Sequence, residues 1–463
     1  MRTEEDVLGG MELPDNALYG LQSARARENF ALGGRRTDMG LIRAVVKVKK
    51  AVALACIHTG TGRPGVYEAV AAACDKVLAG EADDMFIIDA LQGGAGTSSH
   101  MNVNEVLANT ALLLLGRRPG EYDVVHPLDD VNRGQSTNDV YPTALRIAAI
   151  ERLRDLSAEC ASLQQALQEK ENAFDDIAKL GRTELMDAVP VTLGGEFGAY
   201  AQALARDRWR LYKIEERLRQ VNLGGTAVGL SDNSDRAVRF RTLEELRRIT
   251  DIGLALAEYP MDITQNNDVF VEVSGLLKAL AVNLMKTAGD LRLMNSGPHG
   301  GLGEIRLAAL QAGSTIMPGK VNPVIPEMVM QVAMRIMAGD QAICTAAAHG
   351  EFELNAFLPL IADTLLENLS LAVRAVTLFR EKCVLLLEPD RERCRELLEK
   401  SHAFAASFTP LLGYDAVSRI VKQHGGNARA AAEELARAAA AAKGAGSRPP
   451  GADAGEASNN NRA

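Results

Sequence analysis

Between residues 145 and 167 the apolar residues Ile150, Leu153, Leu156, Cys160, Leu163 and Leu167 recur at steps of 3, 3, 4, 3 and 4. A strand would alternate at period two, whereas this spacing keeps one narrow face apolar over about six helical turns. A second segment carries Val269, Val273, Leu276, Leu280, Leu284 and Leu291 on a similar face, and comparable windows run through 196–219, 324–343 and 361–386. Helices this long with stripes this narrow bury their apolar faces best side by side in a bundle. The seam-like width points further to contacts between copies of the chain. Aromatic residues are only 4% of the chain, with Trp209 the one tryptophan. The core must therefore come from Leu, Val, Ile, Met and Ala, which suit helices better than β-sandwiches. The expected fold is mostly α.

Charge and residue usage narrow the function. Lys and Arg number 51 against 60 Asp and Glu, a net charge of −9, which is a poor footprint for a nucleic-acid binder. No apolar run reaches the ~18–20 residues that span a bilayer. The opening MRTEEDVLGGMELPD is acidic and lacks the apolar region of a signal peptide, so a soluble cytoplasmic protein is expected. The six cysteines, Cys56, Cys74, Cys160, Cys344, Cys383 and Cys394, form no CxxC pair and read as buried reduced thiols. The seven histidines show neither HExxH nor HxH spacing, so no metal and no cofactor is expected.

Gly and Pro cluster between the helical windows, in GGAGTSS (93–99), VNRGQSTND (131–139), NSGPHGGLGE (295–304) and GSTIMPGKVNPVIPE (313–327). The last of these holds Ser314, Thr315, Lys320 and Asn322 on one Gly-flanked loop: hydroxyls, a cation and an amide able to close over an anion. Ser136, Thr137 and Asn138 stand before a long helix, where Thr137 or Asn138 would serve as an N-cap. The three also offer short donors where backbone N–H groups converge, a cradle for a carboxylate. Thr97 and Ser98 make a similar set, and Thr183 with Glu184 in GRTELMDAVP a fourth. Each group alone reads equally as ordinary turn chemistry.

Taken in order, QGGAGTSSHMNVNEVLAN (92–109), HPLDDVNRGQSTND (126–139), GRTELMDAVPVTLGGEF (181–197) and GSTIMPGKVNPVIPE (313–327) resemble the signature regions of the aspartase/fumarase superfamily. LYGLQSARARENF (18–30), ELNAF (353–357) and LLGYDAVSRIVK (411–422) extend the resemblance over about nine-tenths of the chain. The continuation VNPVIPE after Lys320, with GGAGTS and DAVP, is similar to the aspartate ammonia-lyase branch. The resemblance implies a three-domain subunit with a central long-helix bundle: a mainly helical domain over 1–137, the bundle over 138–390 and a small helical domain over 391–440. Composition makes 441–463 a disordered tail. The resemblance further implies a homotetramer whose active site is shared by three subunits and whose substrate is a small dicarboxylate.

The resemblance also assigns roles. Ser314 corresponds to the base, with Thr315 beside it. Lys320 and Asn322 match residues that hold one substrate carboxylate, and Thr97, Ser136 and Thr137 match those that hold the other. Asn138 and Thr183 fall near the leaving amine, and Arg25 lies in the N-terminal motif as an auxiliary charge. The implied reaction is reversible elimination of ammonia from L-aspartate to give fumarate. Hydration of fumarate or elimination from a modified aspartate stands as the alternative on the same scaffold. A helical scaffold protein without activity is the alternative from another class, and the intact Ser314, Lys320, Asn322 and QSTN run speak against it. This chain departs from the usual pattern at Glu184, where His or Gln is common, and at His100, where Asn is usual. It departs again at Leu128, which interrupts HPND and with it any accessory dicarboxylate site, and at His299.

Overall fold

The computed structural model describes residues 1–63 and 65–445. A hairpin of β1 (Arg2–Asp6) and β2 (Gly9–Leu13) opens the chain. Helices α1 (Leu21–Asn29), α2 (Met39–Thr59), α3 (Val66–Leu78) and α4 (Thr97–Leu114) follow, then a single π-helical turn, Pro127–Val131. Next come α5 (Thr137–Ala173), a second hairpin of β3 (Ala178–Thr183) and β4 (Met186–Thr192), α6 (Leu193–Leu218), α7 (Arg236–Thr250), α8 (Pro260–Gln265) and α9 (Asp268–Met294). The remaining helices are α10 (Val324–Ala347), α11 (Leu358–Phe379), α12 (Arg391–Lys400), α13 (Thr409–Leu412), α14 (Tyr414–His424) and α15 (Ala428–Ala445). The fold is mostly α, as the apolar spacing requires.

Packing divides the chain into two compact units. The first comprises Met1–Gln165, Gln202–Arg292 and Ala309–Leu385; the second comprises Ala166–Ala201, Leu293–Ala308 and the described residues from Leu386 onward. Residues 441–445, at the start of the expected tail, are the last turn of the alanine-rich α15, and the rest of that tail lies outside the described residues.

In the first unit the bundle closes as a ring, and polar pairs mark each seam. Arg154 meets Glu215 between α5 and α6, and Asn283 meets Asp207 between α9 and α6. Ser274 and Lys278 of α9 both reach Asp340 of α10, and Arg335 of α10 pairs with Glu367 of α11. Arg380, just past α11, returns to Glu159 of α5. The α5 stripe is buried throughout, from Ile150 at 0% exposure to Leu167 at 2%. The α9 stripe is shifted from the expected one: Phe270, Leu277 and Ala288 join Val273, Leu280, Leu284 and Leu291 inside, while Val269 and Leu276 are only half-buried. Two adjacent leucines, Leu276 and Leu277, satisfy the same spacing rule, and the 3.6-residue turn selects the second.

All six cysteines are free thiols; five are buried and Cys344 is exposed on α10. Among the described residues, no helix is long and apolar enough to cross a membrane.

Candidate active site

The Gln135–Asp139 run starts α5, and its cap is Ser136, one residue before Thr137 and two before Asn138, the two expected positions. The Ser136 hydroxyl accepts the N–H of Asn138 at 3.2 Å, and the Asp139 carboxylate accepts the N–H of Ser136 at 3.1 Å. This reciprocal capping box holds the whole turn. Asp139 also accepts the N–H of Thr226 at 3.0 Å, tying the turn to the Gly-rich segment after α6. Pro142, inside α5, has no N–H to offer the carbonyl four residues back. That carbonyl belongs to Asn138 and is taken instead by Asn222 Nδ2 at 2.9 Å. Asn138 Nδ2 donates to the carbonyl of Ala227 at 2.8 Å, which leaves its Oδ1 as the free acceptor.

Thr97 begins α4 beside this turn. Its cap, Gly96, has φ +94°, and its Thr97 Oγ1 donates to the Gly94 carbonyl at 2.7 Å. Three residues on, the buried His100 brings Nδ1 within 2.8 Å of Thr137 Oγ1. The N-termini of α4 and α5, with their positive helix ends, are thereby joined; the N–H groups of Thr97, Ser99 and Asn138 are held by the Gly94 carbonyl, Gln92 Oε1 and Ser136 Oγ, which leaves those of Ser98 and Thr137 to a ligand. Such a junction suits a carboxylate.

Two buried ionisable groups, Lys49 and Asp139, support the junction. Lys49 of α2, 1% exposed, donates to Asn132 Oδ1 at 2.8 Å. Burial pushes its ammonium down to about 7, against the opposing pull of Asp139. Burial likewise pushes Asp139 up to about 6, although the Thr226 and Ser136 N–H groups and Lys49 favour its charged form. Burial, reinforced by the Lys49 charge, holds His100 well below the ordinary imidazole range, so its ring is neutral.

The loop of 313–322 is closed on itself. The N–H of Gly313 donates to the Lys320 carbonyl at 2.9 Å, and Asn322 Nδ2 donates to the Gly313 carbonyl at 2.8 Å. A Cβ at Gly313 would meet that Lys320 carbonyl oxygen at 2.5 Å, so only glycine closes the loop this tightly. Within it, Ser314 Oγ accepts two backbone N–H bonds, from Ile316 at 3.2 Å and Met317 at 3.0 Å. Two N–H dipoles aimed at one hydroxyl oxygen stabilise its alkoxide. Thr315 and Lys320 are exposed, and no ion pair among the described residues involves Lys320, so its charge is available to a ligand.

Thr183 and Glu184 belong to the second unit, at the tip of the β3–β4 hairpin. Thr183 faces Met186 in register, so Glu184 and Leu185 form a two-residue turn with φ of +54° and +65°. Neither is glycine, and the left-handed region costs such residues about 1–2 kcal/mol each. The first strand of the hairpin is held by Lys179 and Arg182, both paired to the fully buried Glu304. Thr183 and Glu184 are exposed, and no ion pair among the described residues reaches Glu184.

The Arg25 guanidinium is held by Asp6 at 2.6 Å and by the Gly9 carbonyl, which anchors α1 to the first hairpin. Leu128 is exposed on the π-helical turn, where His126 Nδ1 accepts the N–H groups of Leu128 and Asp129. Asp139, Asn222 and Lys49 support the site without being among the residues that the motifs mark. The S-x-x-D pattern was the available signal for Asp139; Lys49 in an apolar helix carries none. No group of three or more His, Cys, Asp or Glu among the described residues converges on a metal position.

A family model described as lyase matches residues 9–338. The aspartate ammonia-lyase of Bacillus subtilis (strain 168) is 40% identical over 422 residues, covering 91% of this chain and 89% of that protein. That of Pseudomonas canavaninivorans is 43% identical over 424 residues, covering 91% and 90%. The crystal structure of a fumarate lyase:delta crystallin from Brucella melitensis, bound to cobalt, superposes with a TM-score of 0.90 at 43% identity, over 96% of this chain and 97% of that one. A recombinant class II fumarase from Schistosoma mansoni gives 0.90 at 31% identity, over 94% and 95%. With a family model spanning most of its length and relatives above 40% identity along nine-tenths of it, the chain belongs to the lyase family of the aspartase/fumarase superfamily.

Proposed function

We propose that this lyase eliminates ammonia from L-aspartate to give fumarate, as a cytoplasmic homotetramer with each active site shared by three subunits. The observation that carries the reading is Ser314 Oγ, held by the N–H groups of Ile316 and Met317 on the loop that also presents Lys320. Ser314, as its alkoxide, takes the Cβ proton. The freed electron pair moves onto the adjoining carboxylate, giving an aci-carboxylate that carries two negative charges. The paired N-termini of α4 and α5, with the hydroxyls of Ser136 and Thr137 and that of Thr97 once it turns from the Gly94 carbonyl, meet that growing charge, where each well-aimed donor contributes ~10²–10³ in rate. Lys320 and Asn322 hold the other carboxylate. The electron pair then returns to form the C=C bond as the C–N bond breaks, and ammonia departs with the C–N bonding pair.

Asn138 Oδ1, free of other partners, faces the ammonium, together with Thr183 and Glu184 of another subunit. Three large apolar side chains beside the candidate groups support such sharing: Ile316 at 83% exposure, Leu185 at 76% and Met186 at 70%. Residues of this kind are covered when subunits associate.

Growth of fumarate absorbance with L-aspartate, and none with L-malate, is the expected outcome; turnover of malate alone would exclude the ammonia-lyase. Glu184 refines the test. An anion stabilises an ammonium and gains little from a hydroxyl. Glu184→Gln is expected to weaken L-aspartate binding about tenfold, equivalent to about 1.4 kcal/mol. Succinate, which has both carboxylates but no amine, should bind as before. Equal losses for the two ligands would show that Glu184 does not sense the amine.

A further inference from the structure

His100 touches the site without facing substrate. Its ring is 1% exposed, with Nδ1 2.8 Å from Thr137 Oγ1 and Nε2 buried without a hydrogen-bond partner. A neutral imidazole carries one N–H, so two arrangements exist. With the proton on Nε2, a buried N–H is orphaned, and Thr137 must give its own proton to Nδ1. The hydroxyl would then turn only lone pairs toward a carboxylate. With the proton on Nδ1, the ring donates to Thr137 Oγ1 and only an acceptor lone pair is left unpaired at Nε2. A buried orphan donor is rarer and costlier than an under-used acceptor. Burial and the nearby Lys49 charge exclude the imidazolium, in which both nitrogens would donate.

We propose that His100 is a positioning residue: its Nδ1–H donates to Thr137 Oγ1 and so fixes the Thr137 hydroxyl as a donor toward the substrate carboxylate. The inference rests on the elimination reading, in which Thr137 faces the carboxylate where charge accumulates. A donor oriented beforehand pays no reorganisation as that charge develops, so its loss falls on kcat more than on ground-state affinity.

The side-chain geometry supplies a discriminating pair of variants. Asn places an amide nitrogen where imidazole has Nδ1, whereas Gln reaches the position of Nε2. His100→Gln is expected to lower kcat 30-fold or more and to change the Kd of succinate by less than about threefold. His100→Asn should recover at least a third of wild-type kcat. Thr137→Val should lower kcat like His100→Gln, and combining the two should add no more than about threefold, because both remove one donor. Retention of kcat in His100→Gln or Thr137→Val, or losses that multiply in the double variant, would overturn the inference. Should His100→Gln fail to fold, Thr137→Val against His100→Asn decides: equal losses in those two overturn it. All variants are assayed with L-aspartate and L-malate in parallel. A wild type that uses malate alone then overturns the ammonia-lyase reading, while the ratios between variants still test His100.

Discussion

Ser314→Ala is expected to lower kcat about 10³-fold while leaving assembly, melting temperature and succinate affinity close to wild type. Acid–base groups typically contribute ~10²–10⁴ in rate, and here nothing else on the loop can take the proton. Lys320 is a cation, Asn322 donates its amide to Gly313, and Thr315 lacks the pair of N–H donors that Ser314 receives. The structural cost is small for a reason visible in the loop. Removing Oγ takes one shared acceptor from the N–H groups of Ile316 and Met317 within the loop and removes no core contact. Loop closure depends instead on Gly313, Lys320 and Asn322, which the substitution does not touch. Stopped-assay kcat, succinate titration and sedimentation together test the claim. Activity within tenfold of wild type would place the base elsewhere, and a large fall in melting temperature would make the loss one of structure rather than of chemistry.

The elements legible in the sequence are those set by local rules. The α5 stripe and the Gly-flanked loop around Ser314 follow from spacing and turn chemistry over fewer than thirty residues, and so does the cradle at the start of α5. What spacing alone cannot decide is a choice between neighbours: Leu276 or Leu277 in the core, Ser136 or Thr137 as the cap. Long-range supports leave no local trace at all. Asn222 completes the bond that Pro142 cannot make, 84 residues from Asn138, and Asp139 finds Thr226 87 residues away. Lys49 is another such case, because its buried position beneath the junction is set by the packing of α2 and by Asn132. Glu184 shows the converse. The motif marks it as unusual, and the fold adds that it sits at positive φ on an exposed turn of the second unit, whereas Asn138 belongs to the first.

Gly96→Ala is expected to damage stability and activity together, because one atom would act on both. Gly96 has φ +94° as the cap of α4, a conformation that costs a residue with a Cβ about 1–2 kcal/mol. The added Cβ would also lie 2.5 Å from Cδ2 and Cε2 of Tyr141, a ring that is 1% exposed and cannot step aside without repacking. Overpacking of this kind adds about 1–3 kcal/mol. Tyr141 is one turn along α5 from Thr137, and Gly96 is four residues before His100. The wedge therefore pushes the two helix starts apart at the place where His100 meets Thr137, and the donors that hold the charged intermediate lose their alignment. A fall in kcat of about 10² or more is expected, since losing one such donor typically costs ~10²–10³. Gly116→Ala is the control. Gly116 has φ +72°, but nothing lies within 4 Å of its would-be Cβ, so it carries the backbone cost alone. Its melting temperature should drop modestly and its kcat should not change. If Gly96→Ala behaves no worse than Gly116→Ala in both measurements, the α4–α5 junction tolerates displacement and is not the rigid anion cradle inferred from its geometry.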